Sequence, residues 1–266
     1  MMNKKQIGMY LFCDSEAQIM LAEKAGIDGI MLDWETRGKE SRQSGYDTQI
    51  NNLNIEVLNA VRKYSQKPLM VRVNGFYEGT HSEVELAVSG GATQVLLPIA
   101  HSAKEVEEFI SIVGDKAEPC IMIETQSLLD DIASLKELPW KTAFIGLNDL
   151  MISRSGNYIW DPLIDGTVDW IYEQLPGREL GFGGITLLEY GYPLPFKLLV
   201  KEMARLGCSF SFLRRSFYRD IQTLDPRQEC NKVREYWDTC LARSITEIQN
   251  DRDIFIQTAQ AIKNAL

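Results

Sequence analysis

The stretch Ser89-Gly90-Gly91-Ala92-Thr93-Gln94-Val95-Leu96-Leu97-Pro98, followed by the amphipathic segment Ala103 to Ile112 and by Pro119-Cys120-Ile121-Met122-Ile123-Glu124, decides the fold. Gln94 to Leu97 and Pro119 to Ile123 are short apolar runs bounded by turn residues, which read as buried strands. The segment between them carries apolar residues at helical spacing. The glycines before the first run supply the left-handed cap that lets a helix turn back into a strand. Strand, helix, strand in this order means two parallel neighbours joined by a crossover helix.

The same unit recurs in both directions along the chain. Eight runs fit it: Ile7 to Phe12, Gly29 to Asp33, Leu69 to Val73, Gln94 to Leu97, Pro119 to Ile123, Thr142 to Ile145, Leu180 to Gly183 and Ser209 to Leu213. Helical stretches lie between them at Glu16 to Ala25, Ile55 to Tyr64, Glu83 to Ser89, Ala103 to Ile112, Leu128 to Glu137, Leu163 to Gln174 and Phe196 to Leu206. Lys24-Ala25-Gly26 and Arg205-Leu206-Gly207 repeat the glycine stop. Eight β/α units over residues 1–220 predict an α/β fold of the (β/α)8 TIM barrel type. A doubly wound dinucleotide fold is disfavoured, because Cys13-Asp14-Ser15 follows the first run where a glycine-rich phosphate loop would stand. Residues 221–266 contain no strand-like run and read as additional C-terminal helices, Glu229 to Ile248 and Ile254 to Ala265. Their apolar stripe (Val233, Trp237, Leu241, Ile245, Ile248) has to pack on its own barrel or on a neighbouring subunit, and the neighbour is favoured.

The chain has 266 residues, 45% of them hydrophobic, with 28 basic against 37 acidic side chains and a formal charge of −9. That composition suits a globular domain with a large core. The acidic balance argues against a nucleic-acid partner, whose binding rests on Lys and Arg displacing counterions. No run approaches the length of a membrane span, and the start, Met1-Met2-Asn3-Lys4-Lys5, leads into no signal-type apolar region. The expected location is cytoplasmic. Cys13, Cys120, Cys208, Cys230 and Cys240 form a scattered odd set that reads as reduced, mostly buried thiols.

In such a barrel the reactive groups stand where each strand ends. Those positions carry Asp33-Trp34-Glu35-Thr36, Arg72-Val73-Asn74-Gly75, Pro98, Glu124-Thr125, Gly146-Leu147-Asn148-Asp149, Gly183-Gly184 and Arg214-Arg215. Glu124 and Asp149 close consecutive strands, so their carboxylates can converge. Two carboxylates in an apolar-walled site repel unless a cation or proton intervenes, and a divalent ion held by two carboxylates, with water and substrate oxygens completing its shell, is the habit of Mg²⁺. The structural alternative is that both cap the helices that follow and form ion pairs. With only His81 and His101 and no paired cysteines, a nitrogen- or sulfur-rich zinc-type cage is not easily built. Arg72 ends an apolar strand and must face a carboxylate, from the protein or from a substrate. The amides of the turn Gly146 to Asn148 could face an anion.

Taken together, Asp28-Gly-Ile-Met-Leu-Asp33-Trp-Glu35, Val71-Arg72-Val-Asn74, Gly91 to Pro98, Ile123-Glu124-Thr125 and Gly146-Leu-Asn-Asp149-Leu150 resemble the HpcH/HpaI aldolase and citrate lyase β-subunit family, in order and spacing, over about residues 7 to 220. The resemblance implies a pyruvate- or phosphoenolpyruvate-binding TIM barrel that works on enolates with Mg²⁺ or Mn²⁺. It implies that Glu124 and Asp149 ligate the metal. Arg72 would steady the 2-oxo acid, the amides of Gly146, Leu147 and Asn148 with Thr125 would hold substrate, and Asp33 and Glu35 would organise metal waters. It also implies a homo-oligomer, a trimer or hexamer, with an exchanged C-terminal helix.

Two positions depart from the pattern. The His that follows the Asp-x-Glu element in the aldolases is Thr36 here, which has no useful pKa near neutrality, and the Gln two positions before the metal Glu is Met122. A base has to come from elsewhere: His81 is the best placed, then Glu35 or Glu83, and His101 is a further candidate. The donor-rich segment Thr36 to Gln43 reads as a lid for an anionic or phosphorylated group, or as a solvated loop. Arg214-Arg215 could meet phosphate or make intersubunit pairs. The leading expectation is a divalent-metal-dependent carbon–carbon lyase acting on a 2-oxo acid through a metal-stabilised pyruvate-like enolate. The alternatives are a phosphoenolpyruvate-using transferase, mutase or condensing enzyme, and a barrel that binds without catalysis.

Overall fold

The computed structural model describes residues 6–36 and 50–265. Eight parallel strands close into a barrel in sequence order: β1 (Gly8–Phe12), β2 (Gly29–Asp33), β3 (Leu69–Arg72), β4 (Gln94–Leu97), β5 (Glu118–Ile123), β6 (Thr142–Ile145), β7 (Glu179–Phe182) and β8 (Phe210–Leu213). The ring shuts where β1 pairs with β8, Gly8 beside Phe210 and Leu11 beside Leu213. This is the expected (β/α)8 TIM barrel with additional C-terminal helices.

The core has two layers. Outward-facing strand residues such as Leu11, Ile30, Val71, Ile121 and Ile145 pack under the helices with Ile19, Val84, Phe109 and Leu199. Inward residues fill the barrel itself: Met31, Met70, Leu96, Cys120, Met122, Phe144, Phe210 and Phe212, with Tyr10 and Phe12 against them. The filling is tight enough to need a glycine, since a Cβ at Gly29 would meet the Tyr10 ring at 2.3 Å. Lower in the barrel a polar chain runs from Tyr10 to Gln94 (3.0 Å), from Gln94 to Glu118 (3.2 Å) and from Thr142 to Glu118. Above it Phe212 stacks on Phe144 and Phe12 with ring centroids 4.5 and 5.1 Å apart, which gives the mouth an apolar floor.

Three helical expectations are corrected. The stretch Leu128 to Glu137 is two helices, Gln126–Asp130 and Ile132–Glu137, because the Asp131 carboxylate accepts from Ala103 N at 2.7 Å and leaves the helical path. Leu163 to Gln174 breaks likewise into Asp161–Ile164 and Thr167–Gln174, around Gly166 at φ 83°. In the tail the helices are Pro226–Leu241 and Ile245–Asn264. Their break falls at Ser244, which forms a reciprocal capping box with Glu247, a signal stronger than the apolar period that runs through it.

Within the chain these two helices lie against Glu16–Ala25 and Phe196–Leu206. Val233, Trp237, Phe255 and Ala259 are buried there, so the first members of the predicted stripe are covered by this chain's own barrel, whereas Ile245 is 87% exposed. Two ion pairs cross the contact, Arg252 to Glu202 (2.6 Å) and Lys201 to Asp251 (2.6 Å), and each acid is held further on its own side, Glu202 by Arg205 (2.9 Å) and Asp251 by Arg243 (2.7 Å). No helix among the described residues is long and apolar enough to cross a membrane. Cys13, Cys120, Cys208, Cys230 and Cys240 are free and buried.

Candidate active site

The register of β2 on β3 sets Asp33 beside Arg72 at the barrel mouth. The Arg72 fork grips Asp33 with both arms, Nε to Oδ1 at 2.9 Å and Nη2 to Oδ2 at 2.7 Å, and Nη1 reaches Glu35 at 3.1 Å. Burial alone would lower the arginine's pKa; the Asp33 charge and hydrogen bonds, with Glu35 and Glu124, outweigh it and raise it above the usual range. Arg72 Nη1 also lies 3.7 Å from Met122 Sδ, on the apolar floor. The carboxylate that the sequence required for Arg72 is therefore present within the protein, and it orients a guanidinium of which only a small part reaches solvent.

Glu124, one residue beyond β5, is 1% exposed. Its Oε1 accepts from Ile99 N at 2.8 Å, and its Oε2 is buried with no hydrogen-bond partner among the described residues. Ile99 sits at φ 50°, a left-handed conformation that costs a β-branched residue on the order of 1–3 kcal/mol. The strained peptide aims its N–H at the carboxylate. Burial, then the charge of Asp149, push the Glu124 carboxyl up to about 8, against the opposing effects of the Ile99 amide and Arg72. Asp149, half-buried, stands in the first turn of Leu147–Ser153. Between the two acids Gly146 keeps the wall bare: a Cβ there would fall 2.3 Å from Glu124 Oε2.

A buried carboxylate with an orphaned oxygen and a second carboxylate beside it fits a hard divalent cation. Glu124 and Asp149 would hold it, with water and substrate oxygens filling the other positions. No group of three or more His, Cys, Asp or Glu side chains able to hold a metal occurs among the described residues.

Other expected residues are placed differently. Thr125 is occupied structurally: its hydroxyl donates to Ala100 O at 2.5 Å and accepts from Leu128 N at 3.2 Å as a helix cap. The Gly146 amide donates to Ile123 O at 3.1 Å, which takes it out of the anion-facing turn; Leu147 and Asn148 open the helix, where first-turn amides have no intrahelical acceptor. His81 is exposed on the helix Thr80–Ser89 near Glu85 and is not brought to the Arg72–Glu124 cluster. His101 is also exposed, with Nδ1 3.2 Å from Ser127 Oγ. Glu83 is committed: its carboxylate accepts from Asn74 N (2.9 Å), Asn74 Nδ2 (2.7 Å) and the Tyr77 hydroxyl (2.6 Å), while Asn74 Oδ1 receives the Thr36 amide at 2.8 Å. That chain ties the loop after β2 to the loop after β3. The segment Arg37 to Gln43 lies outside the described residues. A cavity of about 330 Å³ opens beside Asp33, lined also by Phe12, Cys13, Gln18, Arg215 and Tyr218.

The sequence pointed to Glu124, Asp149 and Arg72 but missed Ile99. Nothing in Pro98-Ile99-Ala100 signals a left-handed isoleucine, since glycine or asparagine would be expected there.

No family model and no curated protein matches the chain in sequence. Solved structures do match in shape. An HpcH/HpaI aldolase from Desulfitobacterium hafniense DCB-2 superposes with a TM-score of 0.58 at 15% identity, over 82% of this chain and 90% of that one. The protein CitE from Mycobacterium tuberculosis, solved in complex with magnesium and pyruvate, gives 0.62 at 17% identity over 90% and 99%. The citrate synthase SbnG gives 0.62 at 16% over 82% and 91%. The barrel is the one these proteins share. A 3-hexulose-6-phosphate synthase from Salmonella typhimurium scores 0.60 at 16% identity over 88% and 100%, so the shared shape by itself does not select a chemistry.

Proposed function

We propose that the chain is a divalent-metal-dependent carbon–carbon lyase of the HpcH/HpaI and citrate lyase β-subunit type, acting on a 2-oxo acid. The observation that carries this reading is the buried Glu124 with its partnerless Oε2, next to Asp149 and across from the Arg72 fork. CitE, which has the same barrel, was solved with magnesium and pyruvate, and SbnG is a citrate synthase, so this architecture accommodates small oxo acids and carbon–carbon bond formation.

Glu124 and Asp149 would hold a divalent cation, which when bound would supply Lewis-acid polarisation of the substrate carbonyl. The chain's own residues do the rest. Arg72, held rigid by Asp33 and Glu35, presents a fixed positive charge to the oxygen on which negative charge develops as the bond breaks. The first-turn amides of Leu147 and Asn148 face the substrate carboxylate. Phe12, Phe144, Phe212 and Met122 exclude water from below, which strengthens these interactions. His81 takes no part in this arrangement.

The test is oxaloacetate decarboxylation and pyruvate–aldehyde exchange with Mg²⁺ or Mn²⁺, alongside calorimetric metal binding. Turnover that disappears in Glu124→Gln supports the proposal. Metal binding with silence in both assays overturns it in favour of a non-catalytic barrel, and turnover only with phosphoenolpyruvate moves it to a transferase.

A further inference from the structure

Every arginine among the described residues gives its guanidinium to a carboxylate, a hydroxyl or a main-chain carbonyl, except Arg214 and Arg215. Arg215 is exposed, and its freedom needs no explanation. Arg214 is partly buried, and burial without a counter-charge lowers its pKa. A desolvated, unpaired guanidinium is costly, so its retention asks for an acceptor that the protein itself does not supply.

The position places that acceptor. Phe210 and Phe212 point into the barrel, and Arg214 is the next residue in that alternation, at the mouth where β8 ends. Its stem lies against Gly184, where an added Cβ would meet Arg214 Cγ and Nε at 3.0 Å, and its Cζ sits 5.8 Å from the Trp160 ring. Two residues before Trp160, the buried Tyr158 hydroxyl has no hydrogen-bond partner. Arg214 thus packs on a loop that also carries a buried hydroxyl without a partner. The corner lies at the β7–β8 side of the mouth, while Arg72 belongs to β3.

We infer that Arg214, braced on Trp160, is a second anion subsite and that the substrate carries a negatively charged group at the end remote from its 2-oxo acid. The inference rests on the 2-oxo acid reading for its substrate and on Arg214 alone for its site. The chemistry recognised is an oxyanion with paired acceptor oxygens, a carboxylate or a phosphate, suited to a planar fork.

The experiment titrates the full chain in chelator with inorganic phosphate, succinate and acetate, following tryptophan fluorescence. Saturable quenching by phosphate or succinate, weakened at least about tenfold in Arg214→Met and partly restored in Arg214→Lys, is the expected result. Tighter phosphate assigns a phosphorylated substrate, and tighter succinate a distal carboxylate. Absence of saturable binding by both, or equal binding by wild type and a circular-dichroism-verified Arg214→Met, overturns it. Should lyase assays fail while phosphate or succinate still binds through Arg214, the reaction reading falls and the subsite stands. Lyase turnover whose preference among 2-oxo acids ignores Arg214→Met overturns the subsite and leaves the reaction intact.

Discussion

A methyl group on Gly146 would stand 2.3 Å from Glu124 Oε2 and 2.9 Å from Glu124 Cβ. The acid and the glycine therefore occupy one space, and the bare backbone of residue 146 lets the carboxylate face Asp149. Gly146→Ala should displace Glu124, cost about 1–3 kcal/mol by overpacking, and weaken Mg²⁺ binding at least about tenfold. Calorimetric Mg²⁺ titration beside thermal unfolding checks both, and an alanine variant that binds metal normally contradicts the geometry.

The raised Glu124 carboxyl predicts a pH dependence for the metal-free protein. The folded chain keeps this proton up to about pH 8, whereas the ordinary value is 4.5, so the folded state binds the extra proton through that window. Its stability is fully present below pH 4.5 and declines as pH rises towards 8, by an amount on the order of 3–5 kcal/mol at most. Glu124→Gln should flatten the decline. Chemical denaturation at pH 5, 6.5 and 8 in chelator measures it, and equal slopes for variant and wild type would refute the assignment.

Arg72→Lys keeps the charge and removes the fork. With Asp33 and Glu35 left facing a point charge, stability should fall by about 2–4 kcal/mol and turnover by roughly 100-fold or more, with little change in metal affinity. Retained turnover would show that Arg72 serves only the Asp33 pair.

His81→Ala, in contrast, should change stability by less than about 0.5 kcal/mol, since the residue is solvent-facing. A loss of turnover beyond about tenfold would bring this histidine back as a base.

Ser244→Ala removes the capping box of the last helix and should cost about 1 kcal/mol with unchanged turnover, read as a lower thermal midpoint. A coupled loss of activity would tie the tail to the mouth.

The strands were legible because each apolar run is short and lies between helical stretches or turn residues; β2, β4 and β6 fall on the residues expected. Glu124, Asp149 and Arg72 were legible because barrel geometry dictates where strand ends meet. What stayed hidden depends on tertiary contact. Asp131 breaks a helix for the sake of Ala103 N, Ile99 accepts strain to reach Glu124, and Thr125 spends its hydroxyl on its own helix. The tail break is set by the Ser244–Glu247 capping box, a local signal that the apolar period running through it masks.

The seam between Gly8 and Phe210 joins the first strand to the eighth. During synthesis β1 therefore emerges with one edge unpaired and keeps it so until the final strand has been made. Its main-chain donors and acceptors are meanwhile open to any extended neighbour. Slow ring closure exposes the nascent half-barrel to edge-to-edge association, a hazard that ends only when Phe210 to Leu213 slide into register.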